Sequence, residues 1–96
     1  KWLQPALDGH DMGLMSDAGC PAVADPGALV VAEAHLLGIQ VVPVTGPSSI
    51  LLTLMGSGFN GQKFAFQGYL PVDKAARKKA LLDLENESRQ RHMTQL

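Results

Sequence analysis

LMSDAGCPAVADPG, running from Leu14 to Gly27, decides how this chain is read. A short apolar run ends in Ser16-Asp17, and small residues, Gly19 and Pro21 then crowd a tight turn. Asp25-Pro26-Gly27 closes the stretch and opens a helical pattern. Asp accepts hydrogen bonds from free backbone N–H groups, and Pro is favoured as the first helical residue. A strand that hands over to a helix through such a turn brings its backbone close to a ligand. In open α/β sheets, ligands bind at that edge, beyond the carboxyl ends of the strands.

Working outward, Met12–Met15 reads as a buried strand before the turn. Leu29, Val30, Ala32, Ala34, Leu36 and Leu37 fill the helix after it, and Gly38 sits where a C′ glycine belongs. Ile39–Val44 is β-branched and apolar except for Gln40 and Pro43, the strongest strand pattern in the chain. Strand, helix and strand predict a βαβ unit with parallel strands. The expected fold class is therefore α/β, a parallel sheet with crossover helices. A second strand-to-helix turn follows at Thr45-Gly46-Pro47-Ser48-Ser49. In a parallel sheet both turns leave the same edge, so they are expected to face one crevice. Ile50–Met55 reads as a buried helix, apolar on all sides.

Gly56, Gly58, Asn60 and Gly61 mark the expected boundary between two units, residues 1–61 and residues 62–96. Lys63–Gln67 alternates as a short strand. A long polar helix starts near Asp73, with Ala76, Ala80, Leu81 and Leu84 as one apolar stripe. Lys74, Arg77, Lys78 and Lys79 crowd the first turns of that helix, and Asp83, Glu85 and Glu87 its end. Both groups oppose the helix dipole, at about 0.3–1 kcal/mol per exposed charge. A basic cluster in such a place points to an anionic partner such as RNA phosphates. At the other end of the chain, Lys1–His10 reads as the end of a helix or a loop, with Gly9 as its C-cap glycine.

Composition narrows the classes. The chain has 96 residues, 46% hydrophobic and 18% charged, which suits one small globular domain or a piece of a larger one. Lys1 at the start and Gln95-Leu96 at the end, without a turn signal, read as a segment of a longer protein. A net charge of -1 provides no global attraction to nucleic acid or to an anionic membrane, so any phosphate recognition must be local. No apolar run approaches the roughly 20 residues of a membrane span. The single Cys20 cannot form an internal disulfide, which suits a reducing, cytoplasmic setting. His10, His35 and His92 lack metal-ligand spacing, so no metal is expected. Neither a dinucleotide-binding glycine fingerprint nor a P-loop is present. Asp25 reads as a helix cap, which leaves Asp17 as the freer carboxylate of the first turn.

Three stretches carry a family resemblance. SDAGCPAVADPG (Ser16–Gly27) resembles the SDAGTP-x-x-x-DPG signature of the tetrapyrrole (corrin/porphyrin) methylase superfamily, in the branch holding the bacterial 16S rRNA cytidine 2′-O-ribose methyltransferase. GIQVVPVTGPSSILLTLMGSG (Gly38–Gly58) is similar to the strand, loop and buried helix that follow in that branch. FAFQGYLP (Phe64–Pro71) is similar to its F-x-F-x-G-F-L-P, with Tyr69 in place of Phe.

The resemblance implies an S-adenosylmethionine-dependent methyltransferase acting on RNA, with the donor held between two α/β domains of a homodimer. By position, Ala18, Gly19, Cys20, Pro21 and Val23 would line the donor pocket, and Ser48 and Ser49 would supply the second turn's contacts. Asp17, Tyr69 and Arg77 would face the acceptor, with Asp17 the only candidate base. Two departures stand out. Cys20 replaces a Thr and removes a hydroxyl, and Thr45-Gly46-Pro47 replaces Pro-Gly-x. The alternatives are a tetrapyrrole or corrinoid methyltransferase, and a non-catalytic module binding S-adenosylmethionine or a nucleotide.

Overall fold

Helix ends are where this sequence speaks most directly, and the structure, a computed structural model describing residues 1–44 and 46–96, is built around them. Thr45, the first residue of the second expected turn, lies outside the described residues. The order is α1 (Gln4–Leu7), α2 (Gly27–Leu36), α3 (Ser49–Ser57), β1 (Phe64–Ala65), α4 (Lys74–Arg91) and β2 (Thr94–Gln95).

Gly38 ends α2 as its position predicts. At a φ of 70°, its N–H donates to the His35 carbonyl while that of Ile39 donates to Ala34. This pair of bonds is the Schellman closure, and Gly9 closes α1 the same way, with bonds to Ala6 and from His10 to Pro5. Helix α3 begins at Ser48, whose hydroxyl accepts from the Leu51 N–H at 3.4 Å. It ends on Gly58 in the left-handed region at φ 73°. A Cβ there would lie 2.8 Å from the Ala32 Cα, so the close approach of Gly58 to α2 requires glycine. Helix α4 starts where expected, with the Asp73 carboxylate accepting from the Ala76 N–H at 2.9 Å.

The sheet departs from expectation. Among the described residues the only ladder is β1 against β2, parallel, with Phe64 beside Thr94 and Ala65 beside Gln95. Helix α4 is the crossover between them and packs on β2. A mixed helical chain with a small parallel sheet is thus present, but its βαβ unit is the second one, not the first. Met12–Met15 and Ile39–Val44 carry no ladder. Met15 is 90% exposed and Val42 66% exposed, whereas parallel strands need cover on both faces.

The core is correspondingly small. Helices α2 and α3 pack together through Val31, Ala34 and a fully enclosed Leu54. The expectation that α3 is buried on all sides is corrected: Ile50, Leu51, Leu52 and Met55 are half-buried. Only one side of α3 meets α2. Burying Leu54 contributes about 1.5–3 kcal/mol.

Helix α4 also corrects the charge reading. It runs on to Arg91, so its last turn holds Arg89 and Arg91, which favour the dipole. Glu85 pairs with Arg89 at 2.6 Å and Glu87 with Arg91 at 3.7 Å, both i,i+4 in the better orientation. Lys79 pairs with Asp83 at 2.7 Å, and that hydrogen bond raises the lysine's pKa above its ordinary value.

Candidate functional site

The first turn is organised by a carboxylate. Asp25 Oδ2 accepts from the backbone N–H of Ala22 at 3.0 Å and of Gly27 at 2.8 Å, while Oδ1 lies 3.0 Å from the Ser16 hydroxyl. The Ala22 bond first and the Gly27 bond next hold this carboxyl below the usual carboxylate range; burial opposes them, and the Ser16 hydroxyl adds the smallest lowering. Pro26 already has helical dihedrals, φ −65° and ψ −11°, so Asp25 caps the helix in the sense the sequence suggests.

Between Ser16 and Gly27 the chain is tightly folded. Ala22 and Ala24 both have positive φ, 68° and 50°. Such a conformation costs a residue with a Cβ on the order of 1–3 kcal/mol and persists only where the surroundings enforce it. They do so here from two sides. Asp25 holds the Ala22 N–H, and the Ala24 N–H donates to the Gly61 carbonyl at 2.9 Å. Gly61 lies so close that a Cβ on it would overlap the Ala22 carbonyl oxygen.

Each expected site residue can be placed. Asp17, Ala18 and Gly19 are exposed at the crest of the turn, and Cys20, Pro21 and Val23 are half-buried on its flank. Gly19, at φ 72°, has open space where a Cβ would stand. The Cys20 thiol is free, and its carbonyl accepts from the Val23 N–H. Ser48 is half-buried and occupied in capping α3, and Ser49 is exposed beside it. Tyr69 and Arg77 are exposed, and Arg77 Nη1 donates to the Val72 carbonyl.

The groove next to the first turn has other walls than the two-turn reading expects. It is lined by Asp25, Pro26, Ala28 and Leu29, at and just before the start of α2, and by Gly58–Gln62. Neither the Ser48-Ser49 pair nor any residue of Asp17–Val23 lines it. The C-terminal end of α3 is what meets α2: Gly58 abuts Ala32, and His35 Nε2 donates to the Gly56 carbonyl at 2.7 Å. Ser49 begins the same helix at its other end, about 13 Å away at the helical rise of 1.5 Å per residue.

Sequence reasoning missed Ala22, Ala24, Asn60 and Gly61. Nothing local marks an alanine for positive φ: beside the Asp25 bond to Ala22, the conformation depends on Gly61, more than 30 residues away in sequence. Asn60 ties the groove wall onward, donating from Nδ2 to the His92 carbonyl at 2.8 Å and accepting at its own carbonyl from Thr94 Oγ1 at 2.9 Å. Among the described residues no group of His, Cys, Asp and Glu could hold a metal, and no helix is long and apolar enough to cross a membrane.

No protein-family model matches the chain. Curated proteins do. The chain is 42% identical over 83 residues to ribosomal RNA small subunit methyltransferase I of Xylella fastidiosa, covering 86% of this chain and 30% of that protein. To the protein of the same name from Pseudomonas aeruginosa it is 41% identical over 89 residues, covering 93% of this chain and 32% of the relative. To that from Thermotoga maritima it is 42% identical over 90 residues, covering 93% and 40%. The chain is homologous to these methyltransferases over that segment. It spans about a third of the length of the curated relatives it matches.

Proposed function

We propose that this chain is part of an S-adenosylmethionine-dependent methyltransferase that methylates ribosomal RNA, at a ribose 2′-hydroxyl. The observation that carries the reading is homology at about two-fifths identity to proteins named for rRNA methylation, running through the first turn. The turn suits a large, flat adenosyl ligand. Its crest is Ala18-Gly19, exposed and without bulk, so backbone N–H and C=O groups can come close.

The donor, when bound, supplies an electrophilic methyl group on a sulfonium, and the protein's share is then binding and alignment. Ala18, Gly19 and Cys20 would meet it through backbone, with Pro21 and Val23 as the apolar flank. Ser48 and Ser49, like Ala18–Val23, are assigned to the donor by resemblance, and none of them lines the groove formed by Asp25, Pro26, Ala28, Leu29 and Gly58–Gln62. Asp17 is exposed beside the crest, and as the acceptor-facing residue that the resemblance implies it would take the proton that a ribose hydroxyl releases.

The acceptor reading rests on the second βαβ unit. Lys74, Arg77 and Lys78 are exposed on the first turns of α4, with Tyr69 fully exposed just before them. Cations for phosphates beside an aromatic ring for a base suit single-stranded RNA. Residues 1–61 and 62–96 would then belong to a donor-binding and an acceptor-facing unit of a cytoplasmic homodimer.

The test is methyl transfer by the intact protein from tritiated S-adenosylmethionine. Label in small-subunit rRNA, retained as a 2′-O-methyl nucleoside after digestion, is expected. Label in tetrapyrrole precursors instead would reassign the acceptor. Donor binding in calorimetry without transfer to either would leave a binding module.

A further inference from the structure

The Asp25-Pro26-Gly27 triplet does more than start a helix. One carboxylate touches the chain before the turn at Ser16, within it at Ala22, and after it at Gly27. Each residue of the triplet is needed for that reach. Pro26 sets the φ of −65° that brings the Gly27 N–H under Asp25. Gly27 leaves the room: a Cβ there would stand 2.6 Å from Asp25 Oδ2 and 3.3 Å from the Ala22 nitrogen. The partner contact at Gly61 completes the hold from the opposite side. Asp25 reaches the open Ala18-Gly19 crest through Ser16, whose hydroxyl lies 3.0 Å from Asp25 Oδ1 and 2.9 Å from the Ala18 carbonyl.

We propose that Asp25 is the positioning residue of the first turn: its carboxylate holds the Ser16–Gly27 backbone in the shape that leaves Ala18 and Gly19 open, without itself touching donor or acceptor. The proposal rests on the reading of that crest as the donor's seat. It makes a distinction that a charge-based role does not. In Asp25→Asn, the amide oxygen accepts from both Ala22 and Gly27, and the amide nitrogen donates to Ser16 Oγ. The Ser16 proton then goes to the Ala18 carbonyl, which already lies 2.9 Å away. Every bond of the hold survives. In Asp25→Ala none does, and the two left-handed alanines lose one of their two restraints.

The experiment uses the intact protein in two measurements: calorimetric affinity for S-adenosylhomocysteine, and hydrogen exchange of the Ala22 and Gly27 amides by NMR. Asp25→Asn should stay within about threefold of the parent in affinity, and Asp25→Ala should fall at least tenfold, on the order expected for losing bonds to an ionised acceptor. Both amides should exchange faster in the Ala variant and stay protected in the Asn variant.

Asn as damaging as Ala, with the amides still protected, would overturn the proposal and make the charge a ligand contact. Parent-like affinity in Asp25→Ala would overturn it equally. If that variant does not fold, Gly27→Ala decides, since it keeps the carboxylate but crowds it. Faster Ala22 exchange and weaker binding are then expected, and an unchanged protein would overturn the proposal. Should the parent protein not bind S-adenosylhomocysteine, the donor reading fails by itself, while the exchange pattern still tests the hold.

Discussion

Two stretches of this chain make opposite use of their sequences: one reads as a crossover unit and forms no ladder, the other forms the parallel pair. The first, Met12 to Val44, has the stronger strand patterns and a well-capped helix, yet its flanking segments carry no ladder. The second, Phe64 to Gln95, has two strands of two residues each and forms a parallel pair. The difference is one of anchorage. Thr94 is buried, its hydroxyl is bonded to the Asn60 carbonyl, and the Leu96 N–H reaches the Ala65 carbonyl at 2.8 Å. Val42 and Val44 have no such cover. A parallel ladder is sustained by what packs on it, and strand propensity without burial does not assemble one.

This contrast can be broken experimentally. If the first stretch is held by packing of α2 on α3 instead of a ladder, its stability resides in Leu54 of α3. Leu54→Ala in the intact protein should then cost about 2–5 kcal/mol in urea unfolding. Val42→Thr should stay within about 0.5 kcal/mol, and a larger loss would mean that Ile39–Val44 is paired and covered.

The clasp between the units is the next largest effect. Asn60→Ala removes the bond to the His92 carbonyl and the side-chain bond from the Gln62 N–H at 2.9 Å. A cost of about 1–2 kcal/mol is expected, with faster exchange of the Thr94 amide. An unchanged Thr94 amide would detach the second unit from the groove wall. Smaller again is Ser48→Ala. The capping bond is long, at 3.4 Å, so about 0.5–1 kcal/mol should be lost, toward the low end for a cap.

The smallest effect on global stability, confined to the first turn, is expected in acid. The Asp25 carboxyl titrates below its ordinary value because the Ala22 and Gly27 amides favour the ionised form. Its contribution is therefore complete above about pH 4, the ordinary Asp value, and is lost as pH falls through the lower folded value. Amide shifts of Ala22 and Gly27 should move together in that window. Movement near neutrality would assign the hold to another group.

The candidate site was only half legible in advance. The small residues at Ala18 and Gly19 and the cap at Asp25 announce a turn open to a ligand, because those choices act on their own neighbours. Its left-handed alanines and its Gly61 wall went unread, since the local Asp25 bond is only half of what holds them and the other half comes from Gly61, far along the chain. The expected single crevice for both turns presumed a sheet joining Met12–Met15 to Ile39–Val44. The observed groove instead follows from α2 meeting the far end of α3.

By itself the sequence determined where the helices lie and most of their ends, the C-terminal end of α4 excepted. Gly9, Gly38, Gly58, Ser48 and Asp73 act within one turn of where they stand, so capping needs no knowledge of the fold. Tertiary structure alone decided which strands pair and which residues wall the turn. Those outcomes depend on burial and on contacts across more than 30 positions, and Thr94-Gln95, with no strand pattern of its own, is paired because Asn60 and α4 hold it in place.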